Sequence, residues 1–151
     1  MAVTSSDVAD YLLAAARERG EVLTNLKLQK LLYYAQAWHL ALYDEALFDE
    51  DFEAWVHGPV LPSQYQRYKG YSWQPITHEI KKPVLPPKVT AHLDEILSVF
   101  GTETAIALEA MAHAEAPWRD ARGSLLPGQP CAALIPKESM KQFYKSLRIQ
   151  G

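Results

Sequence analysis

Cysteine is almost missing from this chain, since Cys131 is the only one among 151 residues. A single thiol cannot form an internal disulfide, and it cannot provide the ligands of a four-cysteine zinc site. No run of about 18 consecutive apolar residues occurs, and residues 1–10 lack the basic and apolar segments of a secretory leader. These absences favour a reducing compartment, and we expect a cytoplasmic protein without contact to a membrane.

Excess positive charge is also missing, because the formal net charge is −3 and the sequence pI is about 5.9. Such a chain has no general attraction to a phosphate backbone. The glycine-rich patterns that cradle nucleotide phosphates do not occur, and neither do internal repeats. With 48% hydrophobic residues, the chain is instead predicted to form one globular domain over residues 1–151.

The strongest pattern in the sequence predicts a helix at residues 26–43. One of its faces carries Leu28 and Leu32, and the opposite face carries Leu26 and Leu40. A helix that is apolar on nearly every side is normally enclosed by the rest of a domain. We therefore predict that it is the buried central helix.

Apolar spacing and flanking Thr, Ser, Pro or Gly residues predict further helices around this one. They lie between a cap at residues 4–6 and Gly20, and at residues 62–69, 89–100, 103–114, 118–122 and 137–147. Two short strands are predicted at residues 46–48 and 52–56, around an acidic turn at residues 49–51. The fold class is therefore mainly α: a compact domain of five to seven helices around a central helix, with a small sheet of two or three strands.

Five histidines raise the possibility of a metal site, but their spacing argues against it. His113 and Glu115 point about 200° apart on a helix, and no His-x-x-x-His pair exists. His39 lies on the main apolar face of the central helix, where we expect a core histidine with a hydrogen-bond partner. Cys131 lacks the local motif of a catalytic nucleophile. We predict no cofactor and no enzyme, and a metal-dependent hydrolase using His57 or His113 remains the alternative.

Two basic features are candidates for contact with phosphate. Lys27 and Lys30 lie near the start of the central helix, and Lys137, Lys141 and Lys145 follow at four-residue spacing on the last helix. Solvated helix faces commonly carry such lysines. The central helix is also too apolar to be a recognition helix. A DNA-binding regulator is therefore a further alternative, and nucleic acid is not the expected partner.

Three motifs connect the chain to a known family. The segment LTNLKLQKLLYYAQAWHLAL at residues 23–42 and the segment LFDEDFEAWVHGPVLPSQYQRY at residues 47–68 resemble the SocA-like domain family, also called Panacea. The segment MAHAEAPWRDA at residues 111–121 is similar to the family's second signature, a helix ending in His, an acidic residue, Pro and Trp. The resemblance extends over about residues 5–145.

The resemblance implies a prokaryotic or phage-associated domain that is mostly helical and has a small sheet. It also implies an antitoxin that neutralises a cognate toxin protein by direct contact, or an adaptor that delivers the toxin to a ClpXP-type protease. Enzymatic activity is not part of the family pattern. The identity of the toxin and the oligomeric state of the chain stay open at this point.

Partner binding is predicted where solvent can reach large or charged side chains. The first turn of the central helix and the aromatic loop at residues 65–73 are the candidates, because loops carry adaptable contacts and aromatic groups provide much of the energy of interfaces. The predicted partner-binding residues are Lys27, Lys30, Tyr68, Tyr71 and Trp73. An architectural role is predicted for the residues of the motifs, namely Trp38, His39, Trp55, His57, Gly58, Pro59, His113, Pro117 and Trp118.

Overall fold

The computed structural model of the chain describes residues 3–126 and 128–150, with the side chains of residues 149 and 150 left aside. These residues form seven α-helices, three short strands and a 3-10 turn at Lys69–Tyr71. The helices are α1 (Ser5–Glu18), α2 (Asn25–Tyr43), α3 (Pro62–Tyr68), α4 (Pro87–Phe100), α5 (Ala105–Ala114), α6 (Ala116–Arg122) and α7 (Lys137–Gln150). The strands are β1 (Phe52–Trp55), β2 (Gly58–Val60) and β3 (Leu134–Ile135). The predicted fold class is confirmed.

Helix α2 occupies the centre of the molecule. It begins where the Thr24 hydroxyl accepts a hydrogen bond from the Lys27 amide at 3.2 Å, and it ends at Asp44, whose φ of 55° is left-handed. Side chains on all its sides are buried, and α1, α4, α5 and α7 pack around it. The prediction of a central helix that is apolar nearly all round is therefore confirmed, and its burial explains that composition.

A half-buried carboxylate ties three parts of the domain together. Glu115 lies between α5 and α6, and its Oε1 accepts hydrogen bonds from the hydroxyls of Tyr34 at 2.7 Å and Tyr144 at 2.9 Å. Burial raises the pKa of Glu115, and the two hydroxyl donors oppose that rise. The α5–α6 junction is thereby joined to the central helix and to α7.

The sheet has the strand order β2-β1-β3, and both pairs of neighbours are antiparallel. Strand β1 turns into β2 at Val56 and His57, so that Trp55 lies opposite Gly58. The other edge of β1 pairs with β3, where Phe52 lies opposite Ile135. The predicted strand at residues 52–56 therefore exists, but its hairpin partner follows it in the chain.

The predicted strand at residues 46–48 is wrong. The side chain of Gln36 on α2 binds this segment instead, because its Oε1 accepts from the Leu47 amide at 2.7 Å and its Nε2 donates to the Phe48 carbonyl at 2.7 Å. Leu47 and Phe48 are buried, so their apolar side chains serve the core without belonging to a sheet. The buried side-chain amide of Gln36 thus makes the hydrogen bonds that a neighbouring strand would otherwise provide.

The predicted helix at residues 103–114 ends where expected, and Pro117 belongs to the helix that follows it. Helix α5 ends at Ala114, and Glu115 is extended with ψ of 145°. Pro117 instead lies in the first turn of α6, where a proline costs no hydrogen bond. The proline therefore begins the next helix.

Candidate partner-binding site

A cavity of about 830 Å³ opens at the N-terminal end of α2. Leu26 of α2 lines it together with Val56 and Val60 of the β1–β2 hairpin. The segment after α3 and the segment that leads into β3 complete its walls. A cavity of this size is large enough for several side chains of a partner.

Three aromatic side chains surround this cavity. Trp55 is half-buried, packs edge-on against Tyr65 at 4.9 Å between ring centroids, and donates from Nε1 to Glu53 at 2.8 Å. Trp73, in contrast, is 87% exposed. Ser72 before it has a φ of 55°, a conformation that is costly for a residue with a side chain. An exposed indole on such a backbone is a typical anchor for another protein.

A chain of side-chain amides fixes the wall formed by α2 and α3. Gln29 donates from Nε2 to Asn25 at 2.9 Å, and Asn25 donates from Nδ2 to the carbonyl of Tyr65 at 3.1 Å. The Leu61 amide in turn donates to Gln29 Oε1 at 2.9 Å. Because Gln29 is fully buried, these bonds hold α3 rigidly against α2.

Arg122 organises the wall formed by the segment before β3. Its guanidinium donates to the carbonyls of Ala54 at 2.8 Å, Leu126 at 3.1 Å and Gln129. These bonds hold the segment that precedes Pro130 and Cys131, which both line the cavity. The cavity is therefore built from four separate parts of the chain.

Comparison with known proteins identifies the family. Residues 28–119 match the family described as "Antitoxin SocA-like, Panacea domain". The chain belongs to this family. It is also 33% identical over 129 residues to the protein named Antitoxin SocA from Caulobacter vibrioides (strain NA1000 / CB15N), covering 77% of this chain and 69% of that protein. No solved structure matches the chain.

The part of the chain that matches the family runs from α2 to α6. It includes the aromatic side chains of the cavity, Trp55, Tyr65 and Trp73, whereas Pro130 and Cys131 lie beyond it. Asn25 and Leu26 precede it, so parts of two walls of the cavity come from residues outside the match to the Panacea domain.

Three of the predicted partner-binding residues are at least partly accessible. Trp73 lines the cavity, and Tyr71 beside it is half-buried, with its hydroxyl accepting from the amide of His78 at 3.1 Å. Lys27 retains 15% exposure of its side chain, donates to the carbonyl of Gly101 at 2.5 Å, and forms an ion pair with Glu21 at 3.7 Å. Of the predicted set, Trp73 is therefore the residue that the cavity contains.

The expected exposure of Lys30 and Tyr68 is wrong, because both side chains are buried. Tyr68 is 2% exposed and its hydroxyl donates to Asp10 at 3.2 Å. Lys30 is fully buried beneath the β1–β2 hairpin, where its Nζ donates to the carbonyl of Pro59 at 3.3 Å. The hairpin covers the helix turn that the sequence suggested would face solvent.

Gly58 allows this burial of Lys30. Its φ is 107°, and a Cβ at this position would come within 2.7 Å of Lys30 Cε. Burial lowers the pKa of Lys30 to about 7, and the negative charge of Glu109 opposes this effect. The Gly58-Pro59 motif therefore accommodates a lysine under the hairpin.

Several motif residues meet where the hairpin contacts α5 and α6. Trp118 is buried and donates from Nε1 to the carbonyl of Trp55 at 2.7 Å. His113 stacks on Trp118 with ring centroids 4.0 Å apart, and burial lowers the pKa of His113. Pro117 is buried beside them, whereas His57 is exposed and lies 3.0 Å from Glu109. The architectural role of these residues stays a prediction.

The remaining two motif residues lie further along α2. His39 is buried, and its Nδ1 donates to the carbonyl of Glu45 at 2.6 Å, as expected for a core histidine. Trp38 is half-buried and packs against Tyr144 of α7 at 5.3 Å between ring centroids. Both therefore contact parts of the domain that lie away from the cavity.

The lysines of α7 face carboxylates of the same chain. Lys137 forms an ion pair with Asp51 at 2.6 Å, and Lys141 and Lys145 both pair with Asp44. Together with the burial of Lys30, these pairs leave neither of the two basic features as a free patch for phosphate.

The part of the chain that the structure describes contains neither a cluster of metal ligands nor a helix that could span a membrane. Within residues 3–126 and 128–150, no group of three or more His, Cys, Asp or Glu side chains is arranged to hold a metal ion. Over the same residues, no helix combines the length and the apolar character needed to cross a membrane.

Sequence reasoning missed much of the cavity. The predicted site does not contain Asn25, Gln29, Lys69 or Cys131, all of which line the cavity. Their shared position depends on contacts between distant segments, for which the sequence offers no local signal. Tyr65 was the exception, because it belongs to the aromatic run that leads to Trp73.

Proposed function

We propose that this protein is an antitoxin that neutralises a cognate toxin by direct contact, and that the cavity beside Trp73 is where the toxin binds. Membership of the SocA-like antitoxin family supports the role. The observation that carries the location is Trp73, which is 87% exposed at the mouth of an apolar cavity. An exposed tryptophan has no benefit for folding, and tryptophan is the residue most enriched among binding hot spots.

The construction of the cavity also supports binding. Its walls are held by the buried amides of Gln29 and Asn25 on one side and by Arg122 on the other. Little side-chain entropy is lost when a partner binds a surface that is already ordered. The aromatic pair of Trp55 and Tyr65 then offers apolar area of fixed shape.

Co-expression tests the proposal. Each reading frame beside this one in the source genome is expressed alone, and a frame that stops growth is then expressed together with this chain. We expect the parent chain to restore growth and to co-purify with the toxic product. Trp73→Ala should weaken binding at least about thirtyfold, since hot-spot tryptophans contribute at least about 2 kcal/mol.

The matched control is Val99→Ala on α4, which also shortens an exposed apolar side chain but lies outside the cavity lining. It should bind the toxin like the parent. Lys30→Glu is unsuitable as a test, because it would change a buried side chain and reduce stability. If folded Trp73→Ala protein binds and restores growth like the parent, the toxin binds elsewhere.

Delivery of the toxin to a ClpXP-type protease is the alternative mode of action. It requires that the toxin disappears only when both this chain and the protease are present. Direct neutralisation instead leaves the amount of toxin unchanged. Following the toxin by immunoblot in hosts with and without the protease separates the two modes.

A further inference from the structure

The lining of the cavity carries a positive charge and no carboxylate. Lys69 is its one side chain with a permanent charge, and none of its lining residues in the described part of the chain is Asp or Glu. The whole chain carries a net charge of −3, so the cavity lining is more positive than the chain as a whole. The lining therefore favours a partner group that is apolar or negative.

Lys69 also differs from most other lysines of the chain. Lys27, Lys82 and Lys137 each form an ion pair with a carboxylate. Lys69 is exposed, and among the residues that the structure describes no carboxylate lies within ion-pair distance of it. An unpaired ammonium group at the mouth of an apolar cavity is available to a partner.

The backbone brings this ammonium group and the exposed indole to the same opening. Lys69 begins the 3-10 turn that follows α3, and its carbonyl accepts from the amide of Ser72 at 3.0 Å. Ser72, with its φ of 55°, then redirects the chain into Trp73. The charged and the aromatic contact are therefore held close together.

Two other lining residues, His57 and Trp55, contact carboxylates. Glu109 lies 3.0 Å from His57, and Glu53 accepts from the indole of Trp55 at 2.8 Å. Glu53 and Glu109 do not line the cavity themselves, but their charges would repel a negative group placed beside Trp55 or His57. A carboxylate of a bound partner is thus favoured beside Lys69.

We propose that the cavity binds a short segment of the toxin in which a large apolar side chain is adjacent to a carboxylate. The apolar side chain packs among Trp55, Tyr65 and Trp73, and the carboxylate pairs with Lys69. This assignment rests on the proposed function, because it names the chemistry of the toxin surface that the antitoxin recognises.

Selection from a library of random short peptides displayed on phage tests this chemistry without any toxin. The immobilised proteins are the parent, Trp73→Ala, Lys69→Glu and the control Lys81→Glu, which reverses an exposed lysine outside the cavity. We expect peptides that bind the parent and the control but not Trp73→Ala, with Asp or Glu enriched beside an aromatic or long aliphatic residue. Synthetic peptides of these sequences should bind Lys69→Glu roughly tenfold more weakly.

The assignment is overturned if no selected peptide depends on Trp73, or if the dependent peptides show no excess of acidic residues. It is also overturned if Lys69→Glu selects the same acidic peptides as the parent. These outcomes are distinct from failure of the proposed function. Peptides could show the expected chemistry while no neighbouring reading frame is toxic, and a toxin could be neutralised while the selected peptides are basic.

Discussion

The ammonium group of Lys30 is fully buried, and its acceptor is the carbonyl of Pro59 at 3.3 Å. Burial lowers the pKa of Lys30 from 10.5 to about 7 in the folded protein. Between these two values the unfolded chain binds more protons than the folded chain, so the free energy of unfolding rises with pH. Below pH 7 both states are protonated, and the full cost of burying the charge is present.

Lys30→Met tests this cost at the scale of one residue. The substitution should raise the free energy of unfolding at pH 7 by at least about 1 kcal/mol, because an apolar side chain replaces a buried charge. It should also remove the rise between pH 7 and pH 9, the range before the tyrosines of the unfolded chain ionise. Urea denaturation across this range measures both effects, with Lys81→Met as the exposed control. Equal pH dependence in Lys30→Met and parent would contradict the burial of Lys30.

Trp118 is the residue for which packing predicts the largest loss. It is 4% exposed, stacks on His113, donates to the carbonyl of Trp55 and has the guanidinium of Arg122 over its ring at 4.8 Å. We expect Trp118→Ala to lower the free energy of unfolding by about 3–5 kcal/mol. Trp55→Ala should cost less because Trp55 is half-buried, and Trp73→Ala should cost almost nothing. Thermal denaturation of the three variants gives the order of their losses in stability. A different order would show that the exposure of a tryptophan does not determine its contribution to stability.

At the scale of elements, Gln36 determines the path of the chain between α2 and β1. Gln36→Leu would leave the Leu47 amide and the Phe48 carbonyl buried without partners. Since each of these two groups costs about 1–3 kcal/mol, we expect the free energy of unfolding to fall by about 2–6 kcal/mol. Gln142→Leu, on the exposed face of α7, makes the same change without this loss. If the two variants are equally stable, Gln36 does not hold the segment.

The error at residues 46–48 shows which elements can be predicted from local pattern. Helices α2, α4 and α7 have apolar residues at helical spacing, and this spacing alone predicted their positions. Residues 46–48 have the composition of a strand. Their backbone groups, however, bond to the side chain of Gln36, which lies more than ten residues earlier in the chain. Sheet pairing and side-chain capture of a loop both depend on distant groups, so their sequence signals are weak.

At the scale of the molecule, the same distinction separates the fold from the site. The central helix and its surrounding helices followed from periodicity, whereas the cavity joins the first turn of α2, the hairpin, the turn after α3 and the segment before β3. Trp73 was predicted because loops carry adaptable contacts and aromatic groups provide much of the energy of interfaces. Lys30 was misplaced because nothing local indicates that a hairpin covers the first turns of α2.

Among the residues that the structure describes, nearly all buried apolar side chains belong to one cluster, and α1, α4, α5 and α7 all pack on α2 within it. We infer that the domain unfolds as one cooperative unit, because no helix retains a core of its own when α2 is lost. Far-ultraviolet circular dichroism and tryptophan fluorescence should therefore report the same midpoint in urea.

Ending the chain before Lys137 removes Met140 and Tyr144 from the cluster and the Tyr144 hydroxyl from Glu115. The shortened chain should lose far more helical signal than α7 alone provides. Two separate transitions, or a shortened chain with the other six helices intact, would show that the domain consists of independent parts.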